Sequence, residues 1–290
     1  MTALLVYVDD IIIRGNDEKE KQNLKQYLIK EFEIKELGRL KYFLGIEVSY
    51  LRQGIFISQQ KHVIDLLKET GKLDCKLATT PIEPNKKLEE AKEEPVVDKE
   101  MYQRVVGKLN YLVHTQPDIA YSVSMTSQFI HDPRGTHFQA TYCMLHYLKG
   151  SPRKRVLFKR NNELTLKAYT DADYVSSLVD RRSTSSYCTF LGGNLVTWKS
   201  KMQNAVARSR AESEFKAMAQ KVCELLWLKI ILDDLRIKQE GPMKLYCDNK
   251  LGINIAHNPV QHKRTKHIEI DRHFIKKKLE GGMICMPYMP

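Results

Sequence analysis

The chain has 290 residues, 42% of them apolar, enough to build one large domain or two to three ordinary ones, and its 28% of charged residues is near the usual level. The formal net charge of +12 is the deviation, and it favours a polyanionic partner, nucleic acid first and an anionic membrane surface second. No apolar run approaches the length of a bilayer span, "MTALLVYVDD" lacks the marks of a signal peptide, and the six scattered cysteines form no Cys-x-x-Cys pair, which argues against a zinc site and for reduced intracellular thiols.

In chain order, "LLVYVDDIII" reads as strand, tight turn, strand, with Asp9 and Asp10 set inside an apolar run. Burying two carboxylates costs several kcal/mol unless something compensates them. Alternation sends the pair to opposite faces, leaving one for a metal and the other for structure. "DEKEKQNLKQYLIKEF" predicts a helix capped by Asp17, with Leu24, Tyr27, Leu28 and Phe32 on one face. A hairpin with Gly54 at its turn follows, then a short helix from Gln60 to Thr70. Residues 76–100 hold three prolines and many charges and read as an exposed connector. Tyr102 to Leu148 is helical, broken at Pro117 and at "HDPRG". From Leu164 the pattern is strand-strand-strand-helix-strand-helix-helix-strand, with Gly192-Gly193 as a hairpin turn: an α/β layer, antiparallel first and parallel later.

Three acids of this last region stand at the ends of elements. Asp171 is expected to end the strand "LKAYTD", Glu214 to lie in the first turns of a long helix over 211–235, and Asp248 to end "KLYCD". Singly, each has an ordinary reading as a turn residue, a cap or a complement to the helix dipole. Converging, the three raise one another's pKa, and Mg²⁺ or Mn²⁺ held on carboxylate oxygens relieves this. Such ions can support phosphodiester hydrolysis.

The ordered set of motifs resembles copia-type LTR retrotransposon Pol polyproteins. "YVDD" looks like the catalytic hairpin of reverse transcriptases. "LGRLKYFLGIEV", "ISQQKHVIDLL" and "YQRVVGKLNYLVHTQPDIAYSVSMTSQF" resemble the palm end and thumb. "AYTDADY", "DRRSTSSYCTFLGGNLVTWKSK", "AESEF", "LYCDN" and "RTKHIEIDRHFI" resemble a ribonuclease H domain. The resemblance implies an α/β (α+β) architecture: palm hairpins over 1–75, a linker at 76–100, a helical thumb over 101–160 and a ribonuclease H-like mixed sheet with flanking helices over 161–290. It implies Asp9 and Asp10 as the polymerase pair, Asp9 being the metal ligand. It also implies Asp171, Glu214 and Asp248 as ribonuclease H metal ligands, with Glu212 the rival of Glu214. Mg²⁺ or Mn²⁺ is the implied cofactor. An RNA–DNA hybrid and the rest of the polyprotein are the implied partners, in a cytoplasmic particle and the nucleus.

Departures from the pattern shape the expected activity. Only eight residues precede Asp9, and the family's fourth ribonuclease H acid follows the point where this sequence stops, at Pro290. The expectation is therefore a truncated palm without polymerase activity and a weak or absent ribonuclease H, the alternative being a non-catalytic nucleic-acid-binding remnant or a pseudogene product with an exposed apolar hairpin. Glu269 and Asp271 are the nearby candidates for the fourth acid. Two basic runs are candidate phosphate contacts: Lys263, Arg264, Lys266, Arg272, Lys276, Lys277 and Lys278 in one, Arg153, Lys154, Arg155, Lys159 and Arg160 in the other. A solvated helix face and a charged linker are the plain alternatives. Trp198 and Trp227 are expected in the core, and His267 and His273 packed or facing phosphate.

Overall fold

The computed structural model describes residues 2–8, 10–83, 88, 97–161, 163–177, 180–239, 241–257 and 266–289, with backbone alone for 266–269. Strands β1 (Thr2–Tyr7) and β2 (Asp10–Gly15) pair antiparallel, with Tyr7 opposite Asp10. That register leaves a two-residue loop, in which Val8 adopts a φ of 48°. A β-branched residue in the left-handed region is strained, at a cost of order 1–3 kcal/mol. Helix α1 (Glu18–Glu31) begins where expected. The Asp17 side chain accepts the backbone N–H groups of Lys19 and Glu20 at 2.9 and 3.1 Å. Its apolar face is not buried in a core, however: Tyr27 and Phe32 are exposed.

A four-stranded antiparallel sheet follows in the order β3 (Tyr42–Phe43), β4 (Ile46–Leu51), β5 (Gly54–Ser58) and β6 (Val156–Lys159). Strand β6 comes from the run read as basic phosphate contacts or a charged linker. It reaches β5 because Gly54, at a φ of 152°, carries no Cβ; one placed there would lie 2.1 Å from the Phe158 carbonyl oxygen. Helices α2 (Gln60–Glu69), α3 (Lys99–Leu112), α4 (Ala120–Ser127) and α5 (Gly135–Gly150) build one core from Val63, Leu66, Leu109, Leu112, Met144 and Leu145. Pro117 starts a short 3-10 turn ahead of α4, as its fixed φ and missing N–H favour. About half of the connector at 76–100, residues 84–87 and 89–96, lies outside the described residues.

The last sheet has the order β11-β10-β7-β8-β9. β7 (Leu166–Asp173), β8 (Thr184–Leu191) and β9 (Asn194–Met202) are antiparallel, while β10 (Met243–Tyr246) and β11 (Ile284–Cys285) add in parallel. Helix α6 (Arg210–Asp234) crosses one face, and α7 (Lys250–His257) and α8 (Lys266–Glu280) pack beside it. Leu166, Ala168, Phe215, Met218, Val222 and Leu245 form this core. Helix α4 packs on β9, and the Trp198 indole N–H donates to the Val113 carbonyl at 2.7 Å, joining the helical region to the sheet. Trp198 is thus half-buried at a junction. Trp227 is 56% exposed, which corrects the expectation of a core residue.

Candidate metal centre

β7 and β10 run parallel with Tyr169 opposite Tyr246, and those two rings stack at 4.9 Å. Asp171 and Asp248 each stand two residues further on, so register alone brings them to equivalent positions at the carboxyl ends of neighbouring parallel strands. Ligand sites form at such ends. β7 does not stop at Asp171, as expected, but stays paired to β8 as far as Asp173, with Asp171 opposite Ser186. Both aspartates are exposed.

Glu214 approaches from α6 and is 0% exposed. The helix presents Phe215, Met218 and Val222 to the sheet, and the same docking carries Glu214 under the two aspartates. Gly252 on α7 permits a close lid: a Cβ there would sit 3.4 Å from the Glu214 Cβ. By distance and angle neither Glu214 carboxylate oxygen has a hydrogen-bond partner, and the Ala172 backbone N–H acts on it only weakly. Burial, then the charges of Asp171 and Asp248, push its carboxyl up to about 7. Glu212 behaves differently. It accepts the Arg208 N–H at 2.9 Å and pairs with Lys216 at 2.9 Å, so its charge is already satisfied. The Glu214, Cys247 and Asp248 ligand atoms all lie within 4.8 Å of one another.

Three groups here escaped the sequence reading. Asp173 shares the face of Asp171, and burial followed by the Asp171 charge raises its carboxyl; the period-two spacing in "TDAD" was the available signal. Arg210 supplies positive charge to both Asp173 and Glu214. Cys247 is buried beside the acids and carried no signal beyond adjacency to Asp248.

Of the remaining candidates, Asp10 opens β2 and is exposed, while Asp9 lies outside the described residues. Lys263 and Arg264 also lie outside them, as do the side chains of Lys266 and Glu269. Arg272 is half-buried, Lys277 is exposed and Lys276 pairs with Glu280 at 3.5 Å. Asp271 neighbours Cys223. That residue is nine positions along α6 from Glu214, about 13 Å by helical rise, so Asp271 does not complete the acid cluster. Lys154 is engaged with Asp118 and the Tyr147 ring. A groove of about 870 Å³ between α3, α4 and β9 offers another basic surface, with Arg182, Trp198, Lys199, Lys201 and Trp227 in its walls and no Asp or Glu among its described residues.

Residues 2–84 match the family model described as reverse transcriptase (RNA-dependent DNA polymerase). The retrovirus-related Pol polyprotein from transposon RE1 of Arabidopsis thaliana is 40% identical over 97% of this chain and 19% of its own length. The corresponding polyprotein from transposon TNT 1-94 of Nicotiana tabacum is 33% identical over 96% of this chain and 21% of its own. The chain therefore spans about a fifth of these relatives. Among solved structures, a foamy viral protease-reverse transcriptase in complex with double-stranded DNA aligns with 99% of this chain and 46% of its own, with a TM-score of 0.57 at 15% identity, a likeness of fold. Fold and matched residues define a mixed α/β protein of the reverse transcriptase class. Within that class, the chain belongs to the copia-type Pol polyproteins of LTR retrotransposons.

Proposed function

We propose that the β7–α6–β10 site hydrolyses the RNA strand of RNA–DNA hybrids with Mg²⁺ or Mn²⁺, weakly in this chain as its three-acid set leads one to expect, and in concert with other parts of a Pol polyprotein inside the cell. The observation that carries this reading is Glu214: a fully buried carboxylate, both oxygens unpartnered, beside two further acids. Carboxylate oxygens of this kind suit a hard divalent cation, with Glu214 and Asp248 within 4.8 Å of each other. Asp171, Glu214 and Asp248 would hold it, and it would supply charge stabilisation at the scissile phosphate and a more acidic water. The chain's own residues do the rest. Glu214 supplies fixed negative charge from below, and the exposed Asp171 and Asp248 face incoming substrate. The stacked tyrosines hold the strand register on which both aspartates depend. Arg210 tempers the repulsion. Lys199 and Lys201, exposed and without a carboxylate partner among the described residues, fit a phosphate backbone.

The test is cleavage of a labelled hybrid by the full chain. Cleavage that requires Mg²⁺ or Mn²⁺, and falls at least about 100-fold in Asp171→Asn, is the expected result. Hybrid binding without cleavage in either metal would refute hydrolysis and leave a nucleic-acid-binding module.

A further inference from the structure

Cys247 sits against the acid cluster in a way that a site for hard cations does not need. Its Sγ lies within 4.8 Å of ligand oxygens from both Glu214 and Asp248. It receives the Asn249 backbone N–H at 3.4 Å, while burial and the neighbouring acids push its thiol up to about 11, so the metal-free site holds a protonated thiol. The side chain is wholly buried, and so is Glu214, whose two unpartnered oxygens make this more than a chance gathering of acids. One thiol and two carboxylates are three protein ligands, the number a catalytic or open zinc site commonly provides, with the remaining position left to water. Softer divalent ions gain from sulfur, whereas Mg²⁺ does not.

We propose that Glu214, Cys247 and Asp248 form a zinc-selective site that competes with Mg²⁺ for the same carboxylates. Binding converts the Cys247 thiol to a zinc-bound thiolate and releases its proton to solvent. This rests on the preceding reading only in sharing Glu214 and Asp248; zinc occupancy then inhibits hydrolysis, because it withdraws both acids from the hard cation.

The experiment uses the full chain freed of metal by chelation. Titration with Co²⁺ should give thiolate-to-cobalt charge-transfer absorption in the near ultraviolet, which Zn²⁺ abolishes. X-ray absorption of the zinc-loaded protein should show a sulfur neighbour near 2.3 Å. Cys247→Ser should remove the cobalt band and weaken Zn²⁺ binding by at least about 100-fold, beyond the usual effect of losing an outer-shell partner. Cys247→Ala, apolar like its surroundings, serves where a serine hydroxyl unsettles the core. A zinc shell of oxygen and nitrogen alone, or a cobalt band that survives in both variants, overturns the proposal. Magnesium-dependent cleavage is scored separately. A protein that cleaves hybrid but gives no thiolate band refutes the zinc site alone, and one that gives the band without cleavage refutes hydrolysis alone.

Discussion

Glu214 is where residue-scale chemistry is most exposed to measurement. Its carboxyl is raised from 4.5 to about 7 in the folded protein, by burial and by the two neighbouring aspartates. Between those values the folded state binds more protons than the unfolded chain, so stability falls as pH rises through the window. Below about 4.5 this contribution is fully present; above about 7 it is gone. The span corresponds to about 3 kcal/mol. Urea titrations of metal-free protein from pH 4.5 to 8 should show that slope, and Glu214→Gln should flatten it. An unchanged slope in the variant would place the proton elsewhere.

At the scale of elements, α6 carries a second buried charge whose role is structural. Lys221 is 0% exposed, under the Tyr187 ring, bonded to the Thr189 hydroxyl and 3.3 Å from Glu224, which in turn accepts from Thr197. The network ties α6 to β8 and β9, so it fixes how far along the sheet the helix sits, and with it the position of Glu214. Removing one partner of a buried pair leaves an uncompensated charge and costs about 3–5 kcal/mol. Glu224→Ala should therefore destabilise by that order in a urea melt, and Lys221→Met added to it should recover most of the loss. A double variant as unstable as the single would show that the lysine stem, not its charge, matters. The β1–β2 hairpin is the opposite case. Leu5, Val6 and Tyr7 are each 55% exposed, because the pair packs chiefly on α1. A two-stranded hairpin with so little cover is marginal alone, and its apolar face favours association.

For the whole molecule, the junction of the helical region with the last sheet creates the basic groove. The row Asp171–Ser186–Ser200 runs across three strands from the acid cluster toward it, with Ser186 and Ser200 hydroxyls 3.2 Å apart. Two strand spacings, roughly 10 Å, separate Asp171 from the groove wall. A nucleic-acid strand in the groove would lead to the acids. Lys199→Ala with Lys201→Ala should lower the salt slope of hybrid binding by roughly 1–2 units. Trp227→Ala should weaken single-strand binding by about 1 kcal/mol or more. A double-lysine variant with the original slope would assign the phosphate contacts to another surface. Among the described residues no helix is long and apolar enough to cross a membrane.

The order of elements was legible in the sequence because it follows from local patterns: period-two runs, amphipathic helices, Asp17 as a cap, Gly192-Gly193 as a turn. The candidate acids were legible too, since Asp171 and Asp248 each follow an apolar run and Glu214 opens a helix. Strand β6 was hidden, because "RVLFKR" is short and flanked by charge, and only Gly54 on a distant strand gives it a partner. Trp227 read as core because hydrophobicity carries no information about which helix face the sheet will cover. By itself, then, the sequence determined the local elements and the family, and it named three candidate acids. The tertiary structure decided the rest: that parallel register sets two aspartates side by side, that helix docking buries Glu214 without a partner, and that Cys247 joins them. Those outcomes depend on contacts between residues far apart in the chain, which no local pattern encodes.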